Sequence, residues 1–302
     1  MDSYGLSLFI ALPFCLGFVS ASLYGYRGAV SYGESVGVAL LSVATLGVLL
    51  ILFAWEGAIC LLMAAPLGLA LAVVGASFAH LIQSRRWNRR HAPAMLSIVM
   101  LALPAIIGGE QALHRTPPVF AVKTAIEVSA PPEAVWKQVV AFSEIPAPRE
   151  WYFRAGIAYP IRAEIFGQGP GAVRHCEFST GPFVEPIQVW DEPHLLKFSV
   201  TQNPPPMEEW TPYSKIDTPH LDGFLVSNGG QFLLTSLPRG RTRLEGTTWY
   251  RHSMWPASYW KLWSDAIIHR IHLRILRHIQ SLAENGGAAG ARAVNARRNP
   301  SF

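Results

Sequence analysis

Several groups of side chains in this sequence combine residue types and spacings that could do chemistry. His220 and Asp222, in "PHLDGF", are two positions apart and share one side of an extended segment, where the carboxylate could orient the imidazole as a general base. They lie in a Pro-rich stretch, and loops over a cavity mouth carry function more often than core does. The plain alternative is a turn held by Asp222 before Gly223. His175, Cys176 and Glu177 are contiguous, and a thiol beside an imidazole can be activated as a nucleophile. Neighbours on a strand point to opposite faces, however, so His175 and Cys176 cannot pair directly and Cys176 reads as a buried small side chain. His269 and His272, three apart on a helix, could be two metal ligands, but no third ligand is evident. Among Arg270, Arg274 and Arg277 they read as part of a solvated basic face. No metal site and no cofactor is expected. Glu208 and Glu209 are adjacent and need not converge. Glu56, bordered by apolar runs, is a functional candidate against the simpler reading of a turn at a membrane surface, open to water.

The elements that must position these groups fall into two unlike halves. The chain has 302 residues, 50% apolar and only 15% charged, long enough for two domains and too apolar for one ordinary soluble one. The excess is local. Gly5 to Tyr24, Ser35 to Ala54 and Gly57 to Ile82 each reach or exceed the length of about 20 residues that a bilayer core requires. A shorter run, Pro93 to Gly109, carries Pro93 and Pro104. An all-α transmembrane bundle of about four helices is therefore expected over residues 1–109. No basic region precedes the first run, which argues against a cleaved signal peptide. Lys and Arg near span ends are retained on the cytoplasmic side. Arg27 in the first loop and Arg85, Arg86, Arg89 and Arg90 in "SRRWNRRH" thus place both loops inside the cell and everything after Gly109 outside the cytoplasm. If the fourth run does not cross, that part falls inside instead. Cys176 stands alone in the later half, so no disulfide can form within it. Juxtamembrane Arg meets anionic lipid head groups most simply, and a nucleic-acid partner is not expected.

Residues 110–118 read as a linker, stiffened by Pro117-Pro118. Then the period changes to two: in "VFAVKTAIEV", Phe120, Val122, Ile126 and Val128 alternate with Ala121, Lys123, Ala125 and Glu127, as in a strand with one buried face. Pro131, Pro132 and Glu133 open a short helix whose apolar face is Val135, Trp136, Val139 and Val140. "AYPIRAEIFG", "AVRHCEFSTG", "VEPIQVWDE" and "LLKFSVTQN" are strand-like, and "GQFLLTSL" and "TRLEGTTWY" flank the hairpin turn "PRGR". From Pro256 to Glu284, Trp260, Trp263, Ile267, Ile271, Ile275, Ile279 and Leu282 recur at three and four, giving a long amphipathic helix closed by Gly286-Gly287. Residues 285–302 read as a disordered tail.

This order of elements resembles the START or SRPBCC superfamily, the helix-grip fold also labelled polyketide cyclase or lipid-transport-like. The resemblance covers roughly Val119 to Glu284 and rests on "IEVSAPPEAVWKQVVAFSEIP", "GAVRHCEFSTG", "GRTRLEGTTWY" and "YWKLWSDAIIHRIHLRIL". The segment "PPPMEEWTPYSKIDTPHLDGF" is longer than the family's usual connection, and the apolar front is not part of the family's common domain. The resemblance implies an α+β fold, a curved antiparallel sheet gripping a long C-terminal helix, with an apolar cavity between them over residues 119–284. A helix bearing Trp260, Trp263 and repeated Ile needs such a concave apolar partner in any case.

The residues expected to line the cavity are Trp136, Phe178, Phe198, Phe232, Trp249, Trp260 and Trp263, with Arg174 or Glu177 as a polar contact. Each could equally be core, but together they fit a site for an apolar molecule. The expected function is a membrane-anchored binding or transfer module for a lipid or other apolar small molecule. The alternatives are a cyclase- or hydrolase-type enzyme using the same pocket, with His220 and Asp222 as acid and base, and a domain that only docks a protein partner.

Overall fold

The structure is a computed structural model and describes residues 5–26, 28–84, 92–112, 116–213, 216, 218 and 221–298. Arg27, the arginines from 85 to 90 and His220 lie outside these. Two compact units emerge, one of Met1–Pro117, Glu209–Phe224 and Ser253–Trp260, the other of Pro118–Glu208, Leu225–His252 and Lys261–Phe302. Two stretches that the sequence reading placed in the later domain thus cluster with the N-terminal helices.

The first unit is built on a π-helical turn, Ser7–Ala11, continuing into α1 (Leu12–Tyr24), followed by α2 (Tyr32–Leu52), α3 (Ala58–Ser84) and α4 (Ala92–Ala112). Among the described residues, three helices, Ser7–Tyr24, Tyr32–Leu52 and Ala58–Ser84, are long and apolar enough to cross a membrane. In the fourth, the comparable apolar stretch is Leu101–Glu110. Apolar side chains cannot discriminate one helix neighbour from lipid, so close backbone approach must do so. Gly17 and Gly75 provide it: a Cβ on Gly17 would stand 2.2 Å from the Ala72 carbonyl oxygen, and one on Gly75 2.2 Å from that of Phe14. Ala21, Ala76 and Ala79 extend this seam and are almost wholly buried. Helix α2 opens with a reciprocal capping box, Ser31 accepting from the Glu34 amide while the Glu34 carboxylate accepts from the Ser31 amide.

The second unit is a seven-stranded antiparallel sheet in the order β1-β7-β6-β5-β4-β3-β2. Its strands are β1 (Val119–Val128), β2 (Pro160–Phe166), β3 (Val173–Phe178), β4 (Gly181–Asp191), β5 (Leu195–Ser199), β6 (Leu225–Leu237) and β7 (Arg241–His252). Two short helices, α5 (Pro132–Val140) and α6 (Trp151–Arg154), follow β1, and the long helix α7 (Ala257–Arg298) closes the chain. The period-two pattern of β1 is realised as alternating burial, with Val122, Thr124 and Val128 inward and Ala121, Lys123 and Glu127 outward. At the β6–β7 hairpin, Arg239 and Gly240 both have positive φ, 64° and 68°, the geometry that matches a tight turn to the twist of its strands. Register shifts between Ser227 and Gly229 and between Ile187 and Val189 bend the sheet, because a bulge puts two residues opposite one. The curved face packs on α7: Val128, Val135, Val139, Leu196, Leu234, Leu244, Leu276 and Ile279 form its core, each at most 2% exposed. This is the helix-grip architecture. Helix α7 continues to Arg298, beyond the Gly286-Gly287 pair where the sequence reading closed it, through an Ala- and Arg-rich run of strong helix formers.

Candidate functional site

Between the curved face of the sheet and α7 lies a cavity of about 90 Å³. Its walls come from β3 to β7 and from one stripe of α7, Ile268, Ile271, His272 and Ile275. These positions are spaced by three and four, so a single helix face meets the sheet. Strand alternation puts Arg174, Cys176 and Phe178 of β3 on the cavity side and Val173, His175 and Glu177 on the other.

Arg174 dominates the polar part of the site. It is 1% exposed, and its Nε donates to the Val140 carbonyl at 3.2 Å while Nη1 donates to the Glu185 carboxylate. Its Nη2 has no hydrogen-bond partner among the described residues. The guanidinium also lies 5.5 to 5.8 Å from the ring centroids of Phe142, Phe198 and Phe232, so aromatic faces take up part of a charge removed from water. Burial acts to lower the Arg174 pKa, but the Glu185 carboxylate raises it above its ordinary value, so the group stays cationic. On β7, Thr247 is 2% exposed and its hydroxyl is also without a partner among the described residues. An apolar enclosure with an unsatisfied donor is suited to hold a hydrogen-bond acceptor, since a buried unpaired donor is costly and a ligand oxygen relieves it.

His272 forms the second polar group. One ring nitrogen, Nε2, is hydrogen-bonded to the Thr248 hydroxyl at 2.7 Å and the other, Nδ1, to the Thr124 hydroxyl at 3.1 Å. Thr124 in turn meets His269 Nδ1 at 2.8 Å. Burial, with a smaller contribution from His269, lowers the His272 pKa to about 4, so the imidazole is neutral near pH 7. The reading of His269 and His272 as a solvated pair is corrected for His272, which shares the inward stripe of α7 with Ile268 and Ile275. Cys176 is buried, and burial followed by the Glu185 charge pushes its thiol up to about 12, which leaves it a poor nucleophile.

Of the residues picked from the sequence, Arg174, Phe178, Phe198 and Phe232 are brought together on the cavity wall. The others are placed elsewhere. Trp136 is buried in α5, edge to face with Trp190 at 5.7 Å, and Glu177 projects from the opposite face of β3. Trp249 lies under the Lys197 ammonium at 5.5 Å. Trp260 belongs to the first unit, packed against Phe9 at 4.8 Å, and Trp263, partly buried, is not on the wall. Asp222 is exposed before Gly223, whose φ is +73°, and groups with the first unit. Glu208 is exposed, whereas the Glu209 carboxylate accepts from the amides of Ile59 and Cys60. Glu56 is half-buried in the turn between α2 and α3. The sequence reading missed Glu185, Thr247, Thr248 and His272 as wall residues. For Glu185 an inward polar position on an otherwise apolar strand was the available signal.

No family model and no curated protein matches the chain. Solved structures similar to it include norcoclaurine synthase from Thalictrum flavum, at 12% identity and TM-score 0.38, over 58% of this chain and 99% of that one. An aromatase/cyclase from a Streptomyces species is similar at 15% identity and TM-score 0.35, over 55% of this chain and 94% of the other. A protein from Nitrosomonas europaea matches at 13% identity and TM-score 0.34, over 56% and 96%. Strand order and the long C-terminal helix define a helix-grip domain in this chain, which also has helices with the length and composition of membrane spans.

Proposed function

We propose that the protein is a membrane-anchored binding module for a small apolar molecule that carries an acceptor oxygen. The observation that supports this most directly is the buried Arg174 guanidinium, with Nη2 unpaired beside an otherwise largely apolar enclosure. At about 90 Å³ the cavity is smaller than pockets that swallow drug-sized ligands, which start near about 300 Å³. The ligand is therefore compact, or a lipid is gripped by one apolar end while the lining rings move aside. In this reading four spans over residues 1–109 hold the domain of residues 119–284 at the extracytoplasmic face of the cell membrane, and ligand passes between bilayer and cavity. Protease added to sealed, right-side-out cells tests the orientation: digestion of the domain only after lysis would reverse it.

A second reading, an enzyme using the same cavity, is favoured by one observation. His272 is neutral, lines the wall and is tied through Thr248 and Thr124, so it could take or give a proton. Extraction of the purified full-length protein followed by mass spectrometry separates the two. A stoichiometric apolar compound that also raises the melting temperature in a concentration-dependent way supports binding. Turnover of that compound, lost in His272→Gln with retention unchanged, supports the enzyme. A protein that copurifies with nothing and melts at one temperature whatever is added leaves protein docking as the better reading.

A further inference from the structure

Of the stretch between β5 and β6, set aside in the sequence reading as an oversized connection, Glu209–Phe224 cluster with the helical unit. Its residues 209–213 finish the ends of α2 and α3. The Glu209 carboxylate accepts from the Ile59 amide at 2.9 Å and the Cys60 amide at 3.1 Å, and the Trp210 carbonyl accepts from the Ala58 amide at 3.0 Å. The Tyr213 hydroxyl donates to the Leu52 carbonyl at the end of α2. The first amides and last carbonyls of a helix have no partner within it, and beside hydrocarbon, where water is scarce, they must be satisfied by protein. A second helix start in this unit is treated the same way, with the Glu110 carboxylate accepting from the Ser7 amide at 3.1 Å and from the Leu6 amide.

Around these capped ends, large aromatic side chains stay open. Phe53, Trp55, Trp210, Tyr213 and Trp255 are between 38% and 68% exposed. Singly exposed aromatics are ordinary, but Phe53, Trp55, Trp210 and Tyr213 are grouped by the hydrogen bonds that pin 209–213 to the α2–α3 turn, and Trp255 stands four residues before Tyr259, whose hydroxyl donates to the Met63 carbonyl of α3. The helices fix their level. Helix α2 has 21 residues, about 31 Å at 1.5 Å per residue, which matches a bilayer's hydrocarbon core of about 30 Å. At the opposite end of α1 and α2, Tyr24, Tyr26 and Tyr32 are between 51% and 67% exposed. Two aromatic groups one hydrocarbon thickness apart are what the two water interfaces of a membrane select, because Trp and Tyr rings prefer the head-group level.

We propose that residues 209–213 and Trp255 form a second, non-spanning attachment to the membrane, seated among lipid head groups with Phe53 and Trp55 as one belt. The partner of this surface is a lipid bilayer. The inference rests on the membrane reading of α1 to α3, and the test separates the two. The full chain is reconstituted in phosphatidylcholine vesicles, photolysed with a lipid-soluble diazirine, and mapped by mass spectrometry. Label on Trp210, Tyr213 and Trp255 at the level found on Phe53 and Trp55, together with label along α1 to α3, is the expected result. Label along α1 to α3 without label on Trp210, Tyr213 and Trp255 overturns this attachment and leaves the spans standing. Label on neither overturns both.

Discussion

Arg174 on β3 and Glu185 on β4 are direct cross-strand partners in the sheet register, and the guanidinium Nη1 donates to the carboxylate with both side chains withdrawn from water. Two opposite charges at one buried site are tolerable only together, because either alone keeps its desolvation cost without the attraction that offsets it. The same pair leaves Nη2 without a hydrogen-bond partner among the described residues, and this is the donor that the proposed ligand would meet.

Replacing Arg174 by Met should cost roughly 3 to 5 kcal/mol, the usual scale for stranding a buried charge. The double change Arg174→Met with Glu185→Gln should recover much of that loss while abolishing retention of any acceptor-bearing ligand. Thermal melting of the full-length protein in detergent, with ligand extraction alongside, reads both. Equal damage in single and double variants would place the cost in packing rather than in charge.

His272 makes stability depend on pH in a defined direction. Its pKa is depressed to about 4 in the folded protein against about 6.5 unfolded, so between these values the unfolded chain binds more protons. Stability contributed by this group is therefore present above about pH 6.5 and lost as pH falls toward 4, by up to roughly 3 kcal/mol. The His272→Gln variant should be less stable near neutrality yet lose less between pH 7 and about 4.5. Parallel profiles for the two proteins would contradict the burial of this imidazole.

Gly230 leaves room for the Phe198 ring, which lines the cavity. A Cβ there would come within 2.7 Å of Phe198 Cζ and 3.0 Å of the Thr247 carbonyl oxygen. Gly230→Ala should push the Phe198 ring off its position, destabilise the domain by about 1 to 3 kcal/mol as overpacking does, and reduce ligand retention. Unchanged melting and unchanged retention together would mean the ring yields freely and is not part of a shaped wall.

Local periodicity carried most of the fold. The apolar runs Gly5 to Tyr24, Ser35 to Ala54 and Gly57 to Ile82, the alternation in "VFAVKTAIEV" and the three-and-four spacing after Pro256 each commit the backbone to one element, because burying a face or facing lipid leaves a single compatible geometry. The sequence reading left Arg174 and Glu177 as alternatives for the polar contact, although the alternation along β3 puts only Arg174 on the side of Phe178. Which residues those faces meet is another matter, since partners lie far apart in sequence. That Glu185 would stand opposite Arg174 depends on the register of β3 against β4, and a one-residue slip would have reversed it. That His272 turns inward while His269 is exposed depends on the rotation of α7 against the sheet, which the arginines beside it obscured. Trp260 and Trp263 share a helix face, yet Trp260 packs with the first unit and neither lines the cavity, because α7 begins within one unit and continues into the other. The stretch from Glu209 to Tyr213 has no periodicity to read; its role as a cap for α2 and α3 comes from unsatisfied helix ends about 150 residues earlier in the chain. Sequence determined the elements and their buried faces because those follow from neighbours three or four positions away. The tertiary structure alone decided the cavity, its buried ion pair and the capped helix ends, because each is a meeting of groups that only the folded chain brings within hydrogen-bonding distance.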